Sequence, residues 1–329
     1  MVETNGMTTM RRLGRTDIPI SAVGLGCWQF SQGGGTLGRF WPVLPQETVD
    51  RIVSVSLAGG VTWFDTAEAY GKGRSESALA SALTAAGKRD GEVVIATKWT
   101  PVLRTAGSIR STIAARLENL APFGIDLHQI HHPFSLSPIA AQMHAMADLV
   151  EAGKIRSVGV SNFSAPAMRV AHRVLASRGI PLVANQVRYS LAYRRVETDG
   201  VLETARELGI TIIAFSPLAQ GILTGKFHKD PALLRSQPGP RRWLNRIRHG
   251  SLAKSRPLAV VVEDIARAHG ATPAQIALHW LVRAHGDLVV AIPGATTPEQ
   301  AWENAGAMKL RLDEAGMARL DEASRPFLG

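Results

Sequence analysis

A chain of 329 residues, 45% hydrophobic and 19% charged, carries enough apolar surface for a large core and excludes a disordered or low-complexity protein. A single cysteine, Cys27, excludes an internal disulfide, and no apolar run reaches membrane-spanning length, so a cytoplasmic protein without a membrane partner is expected. The net charge of +10 is concentrated between Lys226 and Arg256, where nine Lys or Arg face one acid, Asp230. Such a cluster suits a phosphate-bearing ligand. No nucleic-acid-binding signature accompanies it, so nucleic acid is not expected as a partner.

Residues 1–10 lack the apolar core of a signal peptide and read as a polar tail, which leaves 11–329 as one domain. Arg12 to Asp17 reads as a turn-bearing hairpin, followed by a first buried strand over Ile20–Leu25. Helical periodicity over Gln46–Ala58 ends at Gly59-Gly60, and Val61–Phe64 is the second strand, with Asp65 at its end and Tyr70 just beyond. A helix over Ser75–Ala85 leads to a strand over Glu92–Thr97, ended by Lys98. A helix over Ser108–Leu120 leads to a strand over Ile125–Ile130, ended by His131. The alternation continues with helix Pro138–Glu151, strand Ile155–Val160, helix Ala165–Ser177 and strand Leu182–Asn185, the last ended by Gln186. Helix Val201–Leu208, strand Ile210–Phe215 and the basic segment follow. Helices near Pro257–His269 and Pro273–His285, a strand over Leu288–Ile292, and helices near Pro298–Gly306 and Asp313–Ala323 complete the chain.

Strand–helix alternation of this kind implies parallel βαβ units. Eight of them at this length predict an α/β fold, a closed (β/α)8 TIM barrel with an N-terminal β-hairpin and extra C-terminal helices. The alternative is an open doubly wound sheet, which calls for a glycine fingerprint after the first strand, where residues 24–26 give only G-L-G. In a barrel, Asp65, Lys98, His131, Asn162 and Gln186 all stand at the C-terminal ends of strands and converge on one face. A free tyrosine has a pKa of about 10. A neighbouring ammonium is expected to lower that of Tyr70, with Asp65 as counter-charge to Lys98 and a neutral His131 to hold a substrate oxygen. That describes acid chemistry on a carbonyl under reduction, with the hydride coming from a cofactor. No metal site is expected.

Several stretches in order then resemble the aldo-keto reductase family: F-D-T-A-E-A-Y-G (64–71), G-R-S-E (73–76), I-A-T-K (95–98), I-D-L-H-Q-I-H (125–131), G-V-S-N-F (159–163), N-Q-V-R-Y-S (185–190), F-S-P-L-A-Q-G-I-L-T-G-K-F (215–227) and I-P-G-A (292–295). The opening R-R-L-G-R-T resembles the branch with bacterial, plant and channel-associated members. The resemblance implies Tyr70 as proton donor, Lys98 and Asp65 as its tuning pair, and His131 as the group orienting the carbonyl. It implies a cofactor site of Gly26, Cys27, Trp28, Ser161, Asn162, Gln186, Phe215, Ser216, Pro217, Leu218, Gln220, Gly221, Lys226, Arg241, Gly294, Thr296, Gln300, Glu303 and Asn304.

Within that resemblance, many members grip the 2′-phosphate of NADP with a Lys-Ser pair and a later Arg, where this chain has Gly294-Ala295 and Gln300. Others use a lysine after the pyrophosphate loop and an arginine in a G-P-R stretch, which Lys226 and Gly239-Pro240-Arg241 match, with Arg242 alongside. NADPH is therefore expected over NADH. Phe215 stands where Tyr is common, and His132 where Trp often follows the catalytic histidine. The substrate, a small-molecule carbonyl, is expected against Trp28, Trp99 and His132, with Phe134, Trp41 and Tyr189 as further candidates. Two alternatives stay open: a cofactor-loaded sensor or regulatory subunit of low turnover, and a sugar or polyol dehydrogenase working oxidatively.

Overall fold

The computed structural model describes residues 10–35, 40–237 and 250–329. Eight parallel strands follow one another around a sheet: β3 (Leu25–Gly26), β4 (Trp63–Asp65), β5 (Val94–Trp99), β6 (Leu127–Ile130), β7 (Ser157–Ser161), β8 (Leu182–Arg188), β9 (Thr211–Phe215) and β10 (Val289–Ala291). The first and last meet through parallel bridges Val23↔Ala291 and Gly26↔Gly294. The Gly24 N–H donates to Ala291 O at 2.8 Å and the Ala291 N–H to Ala22 O at 3.0 Å. The sheet is thus closed on itself, with helices packed outside, as the alternation predicts.

The strand β1 (Met10–Arg12) pairs antiparallel with β2 (Pro19–Ser21). Leu13, Ile18 and Ile20 of this hairpin form one apolar cluster with the inward-facing Trp63, Val94, Ala96, Leu127, Val183 and Ile213. The hairpin therefore plugs the end of the barrel opposite the strands' C-termini. Gly24 is required where the chain leaves the plug, because a Cβ there would lie 2.4 Å from the Trp63 indole. This passage also divides the strand predicted over Ile20–Leu25: Pro19–Ser21 belongs to the hairpin and Leu25–Gly26 to the barrel.

Helices α1 (Gln46–Ala58), α2 (Arg74–Ala85), α3 (Gly107–Leu120), α4 (Ile139–Glu151), α5 (Ala165–Ala176) and α6 (Val201–Leu208) connect successive strands. Beyond β9 come the short α7 (Lys226–Lys229) and α8 (Ala232–Arg235), then α9 (Gly250–Ala268), α10 (Pro273–Arg283), α11 (Pro298–Gly306) and α12 (Glu314–Ser324). Helix α10 opens on a capping box, Thr272 with Gln275, satisfying two otherwise orphaned N–H groups. Among the described residues no helix is long and apolar enough to cross a membrane.

Candidate active site

Side chains alternate along a strand, so in β5 Val94 and Ala96 join the barrel interior while Ile95 and Trp99 join the core beneath the helices. Lys98 therefore points inward, fully buried, one step above Ala96. Asp65, in register with Ala96, meets it from β4. Lys98 Nζ donates to Asp65 Oδ2 at 2.5 Å and to Thr66 O at 2.8 Å. Two further amides converge on the carboxylate's other oxygen: Gln186 Nε2 at 2.8 Å and Gln129 Nε2 at 3.2 Å. Every polar atom of the buried pair is thereby met, the condition under which burying a charge pair is tolerable.

Tyr70 stands above this pair, with Lys98 Nζ 5.1 Å from its ring centroid. The sequence alone suggests that the ammonium lowers the phenol's pKa. The structure gives the opposite net direction: desolvation raises it, and Lys98 offsets only part. Tyr70 thus rests protonated. Burial pushes the Lys98 ammonium down, but Asp65 and Tyr70 outweigh burial and leave its pKa raised.

The loop carrying Tyr70 is fixed from behind. The Thr66 N–H donates to Ala96 O at 2.8 Å and the Glu68 N–H to Lys98 O at 3.2 Å. The Glu68 carboxylate accepts from the Thr100 N–H at 2.5 Å, from Arg104 Nη1, and from Arg116 Nη1 at 2.8 Å. Arg116 also reaches Glu76 at 2.8 Å, whose other oxygen accepts from Thr97 Oγ1 at 2.6 Å. Gly71 closes the loop at φ +69°, where a Cβ would lie 2.1 Å from Ser31 O.

His131 meets Tyr70 edge-on, ring centroids 5.7 Å apart at 82°. Burial, then Lys98 and His132, hold its pKa well below the ordinary value, so the ring is neutral. Its Nδ1 is buried without a partner among the described residues. Trp28 stacks on the other side of Tyr70 at 5.9 Å and 24°.

These groups floor a cavity of about 780 Å³. Asp65, Tyr70, His131 and His132 line it, with Lys98 just beneath. So do Gly26, Cys27, Trp28, Ser161, Asn162, Gln186, Phe215, Ser216, Pro217, Leu218, Gln220, Gly221, Lys226, Gly294, Thr296, Gln300, Glu303 and Asn304. Arg241 and Arg242 lie outside the described residues.

Trp99 is a correction. Its side chain faces away from the cavity, with Nε1 donating to Ser108 Oγ at 3.1 Å, because its neighbour Lys98 takes the inward position. Tyr189 is likewise buried elsewhere, its hydroxyl shared between Glu197 and His285, and Phe134 is 78% exposed outside the cavity. Trp41 does line it.

The structure also brings in residues that the sequence reading passed over: Gln129, Gln29, Thr100, Val102 and Arg188. Gln129 was legible, since period-two counting back from His131 puts it on the inward face. Arg188 follows Gln186 by the same count, in register with Phe215, its guanidinium 4.3 Å over the Tyr193 ring.

The far end of the cavity suits a phosphorylated ligand. Ser216, Ala219, Gln220 and Gly221 have φ of 51°, 47°, 58° and 97°, a turn of left-handed residues that forms a concave backbone of the sort that cradles anions. Gln220 Oε1 is buried without a partner among the described residues. Lys226 Nζ lies 3.4 Å from where a Cβ on Gly221 would stand, so an ammonium covers this turn. Among the described residues no cluster of metal-ligating side chains occurs.

Comparison with known proteins bears on the family and the fold. The sequence profile described as "Aldo/keto reductase family" matches residues 22–325. An oxidoreductase of Mycobacterium bovis is 39% identical over 310 residues, covering 94% of this chain and 90% of its own. An aldo-keto reductase of Strobilurus tenacellus is 33% identical, covering 91% and 87%. Among solved structures, a thermostable aldo-keto reductase in complex with the inhibitor epalrestat superposes with a TM-score of 0.75 at 30% identity, over 96% of this chain and 99% of that one. The glycerol dehydrogenase of Gluconobacter oxydans superposes with a TM-score of 0.81 at 26% identity, over 96% and 95%. With the profile spanning nearly its whole length and relatives matching it almost end to end, the chain belongs to the aldo/keto reductase family.

Proposed function

We propose that the protein reduces aldehyde and ketone carbonyls with NADPH, Tyr70 donating the proton. The observation that carries this reading is the buried stack of Asp65, Lys98 and Tyr70 beneath a cavity that His131 also lines. Bound NADPH would supply a hydride to the carbonyl carbon. Tyr70, held protonated, gives its proton to the carbonyl oxygen. Lys98 stabilises the phenolate left behind, and Asp65 keeps that lysine in place and charged. His131, neutral, orients the oxygen by hydrogen bonding.

The cofactor-side residues fit such a ligand. Asn162 has its amide N–H groups engaged, leaving Oδ1 for the carboxamide, and Gln186 commits Nε2 to Asp65. Phe215 offers a ring face to the nicotinamide. The turn over 216–221 suits the pyrophosphate. Gln300 Oε1 accepts from Thr296 N–H at 2.9 Å and from its hydroxyl at 3.1 Å, which fixes that side chain near the adenosine end.

The direct test is turnover on a panel of aldehydes and ketones with NADPH and with NADH. Turnover on the order of 1 per second or more on at least one carbonyl is expected; its absence across the panel sinks the reading. The structural match to a glycerol dehydrogenase motivates a parallel assay with polyols and NADP, since the same residues run backwards take a proton from an alcohol.

Cofactor choice rests on Lys226. A charged hydrogen bond to phosphate contributes about 1.5–3 kcal/mol, less at a solvated site. Lys226→Ala is expected to raise the NADPH dissociation constant about tenfold and leave NADH nearly unchanged, read by fluorescence titration. Equal losses for both would make the lysine a support of the turn that it covers.

A further inference from the structure

We infer that His132 is a second hydrogen-bond donor of the substrate pocket and selects carbonyl compounds with an oxygen on the adjacent carbon: 2-hydroxyketones, 2-hydroxyaldehydes and 1,2-dicarbonyls. This rests on the carbonyl-reductase reading and extends it to a substrate class.

Consecutive residues in a strand face opposite ways, but β6 ends at Ile130. His131 and His132 lie past that end, and their rings stack 4.8 Å apart, 3° from parallel, both lining the cavity. The pocket thus presents two imidazole edges side by side.

The tautomer of His132 follows from its neighbours. The Asn162 side-chain amide approaches the His131 carbonyl oxygen at 3.3 Å, Ser161 Oγ at 3.0 Å and His132 Nδ1 at 3.3 Å. The first of these is an acceptor only. Ser161 gives its own hydroxyl proton to Gln186 O at 2.8 Å, so it too accepts from Asn162. The amide nitrogen, not the oxygen, must therefore face this group; an amide nitrogen cannot accept, so His132 Nδ1 has nothing there to donate to and carries no hydrogen. Burial, then Lys98, hold the ring's pKa below the ordinary value, so it is neutral and carries its one hydrogen on Nε2. His132 is half-buried, and no protein acceptor for that N–H occurs among the described residues.

An N–H that loses water without gaining an acceptor is costly, so such a site rejects analogues lacking the matching oxygen. His131, beside Tyr70, is positioned for the carbonyl oxygen. His132, one ring further out, is positioned for the next.

The test compares hydroxyacetone with 2-butanone, which differ by a hydroxyl against a methyl, using the full chain and NADPH. Wild type is expected to prefer hydroxyacetone in kcat/KM by about tenfold, one hydrogen bond's worth. His132→Phe keeps the stacked ring and removes the donor; the preference should collapse toward unity, chiefly through KM. His132→Gln, which restores an N–H, should recover part of it. No preference in wild type, or a His132→Phe variant that loses both ketones in equal proportion, overturns the inference. Equilibrium binding of the same pair to NADP-saturated protein, followed by tryptophan fluorescence, decides the matter separately from turnover. If wild type binds hydroxyacetone more tightly and His132→Phe does not, while no carbonyl is reduced, the reductase reading fails and the role of His132 stands. Equal binding of the two ketones by wild type overturns the role of His132 alone.

Discussion

Tyr70→Phe is expected to lower carbonyl reduction about 10²–10⁴-fold, the span that positioned general acids contribute, while leaving cofactor affinity within about twofold. The substitution removes one oxygen and keeps the ring that packs between Trp28 and His131. The fold behind it does not depend on the hydroxyl, because the Tyr70 loop is held by Glu68, Arg104 and Arg116. The pH profile gives a second check. Desolvation raises the phenol above its ordinary value of about 10, against the pull of Lys98, so the acid form persists through the alkaline range. Wild-type reduction should therefore show no loss of proton donor below pH ~10 and fall only above it, a limb absent from the residual activity of Tyr70→Phe. Retention of a third or more of wild-type turnover would remove Tyr70 from the proton-donor role.

The helices were the most legible part of the chain. Gln46–Ala58, Val201–Leu208 and Pro298–Gly306 run as their periodicity predicts, because helix ends are local events set by glycine, proline and caps. Strand limits moved by two or three residues at several ends, since a parallel strand extends only as far as its neighbours offer partners, and those lie elsewhere in the sequence. Gln186 is an instance: predicted to end its strand, it lies within β8, which continues to Arg188 alongside Phe215. The polar residues at strand ends were legible because a barrel gives them a shared address. The Trp99 error came from neglecting alternation once Lys98 had been turned inward. The Glu68–Arg116–Glu76 network was not legible, because it joins the loop after β4 to helices α2 and α3 through side chains with no shared sequence signal.

Lys98→Met should cost stability as well as turnover, and the two losses can be separated. Asp65 and Lys98 are almost wholly buried, and their contact is the only ion pair that Asp65 makes among the described residues. Removing the lysine leaves a buried carboxylate with two amide donors, Gln186 and Gln129, and no counter-charge. Breaking one side of a buried pair typically destabilises by about 3–5 kcal/mol. Burial lowers the ammonium's pKa, but Asp65 and Tyr70 outweigh it and leave it raised. The pair's contribution is therefore fully present below the unfolded lysine's pKa of about 10.4 and is lost as pH rises through the higher folded value. Across pH 6–9 the variant's deficit in denaturant unfolding should thus be roughly constant. Adding Asp65→Asn to Lys98→Met removes the stranded charge and should recover most of that stability. It should recover none of the turnover, because the phenolate of Tyr70 still lacks a neighbouring cation. A double variant as unstable as Lys98→Met would trace the loss to packing around residue 98. A double variant that regained turnover would make Lys98 a scaffold for Asp65, and the proton donor would need no ammonium beside it.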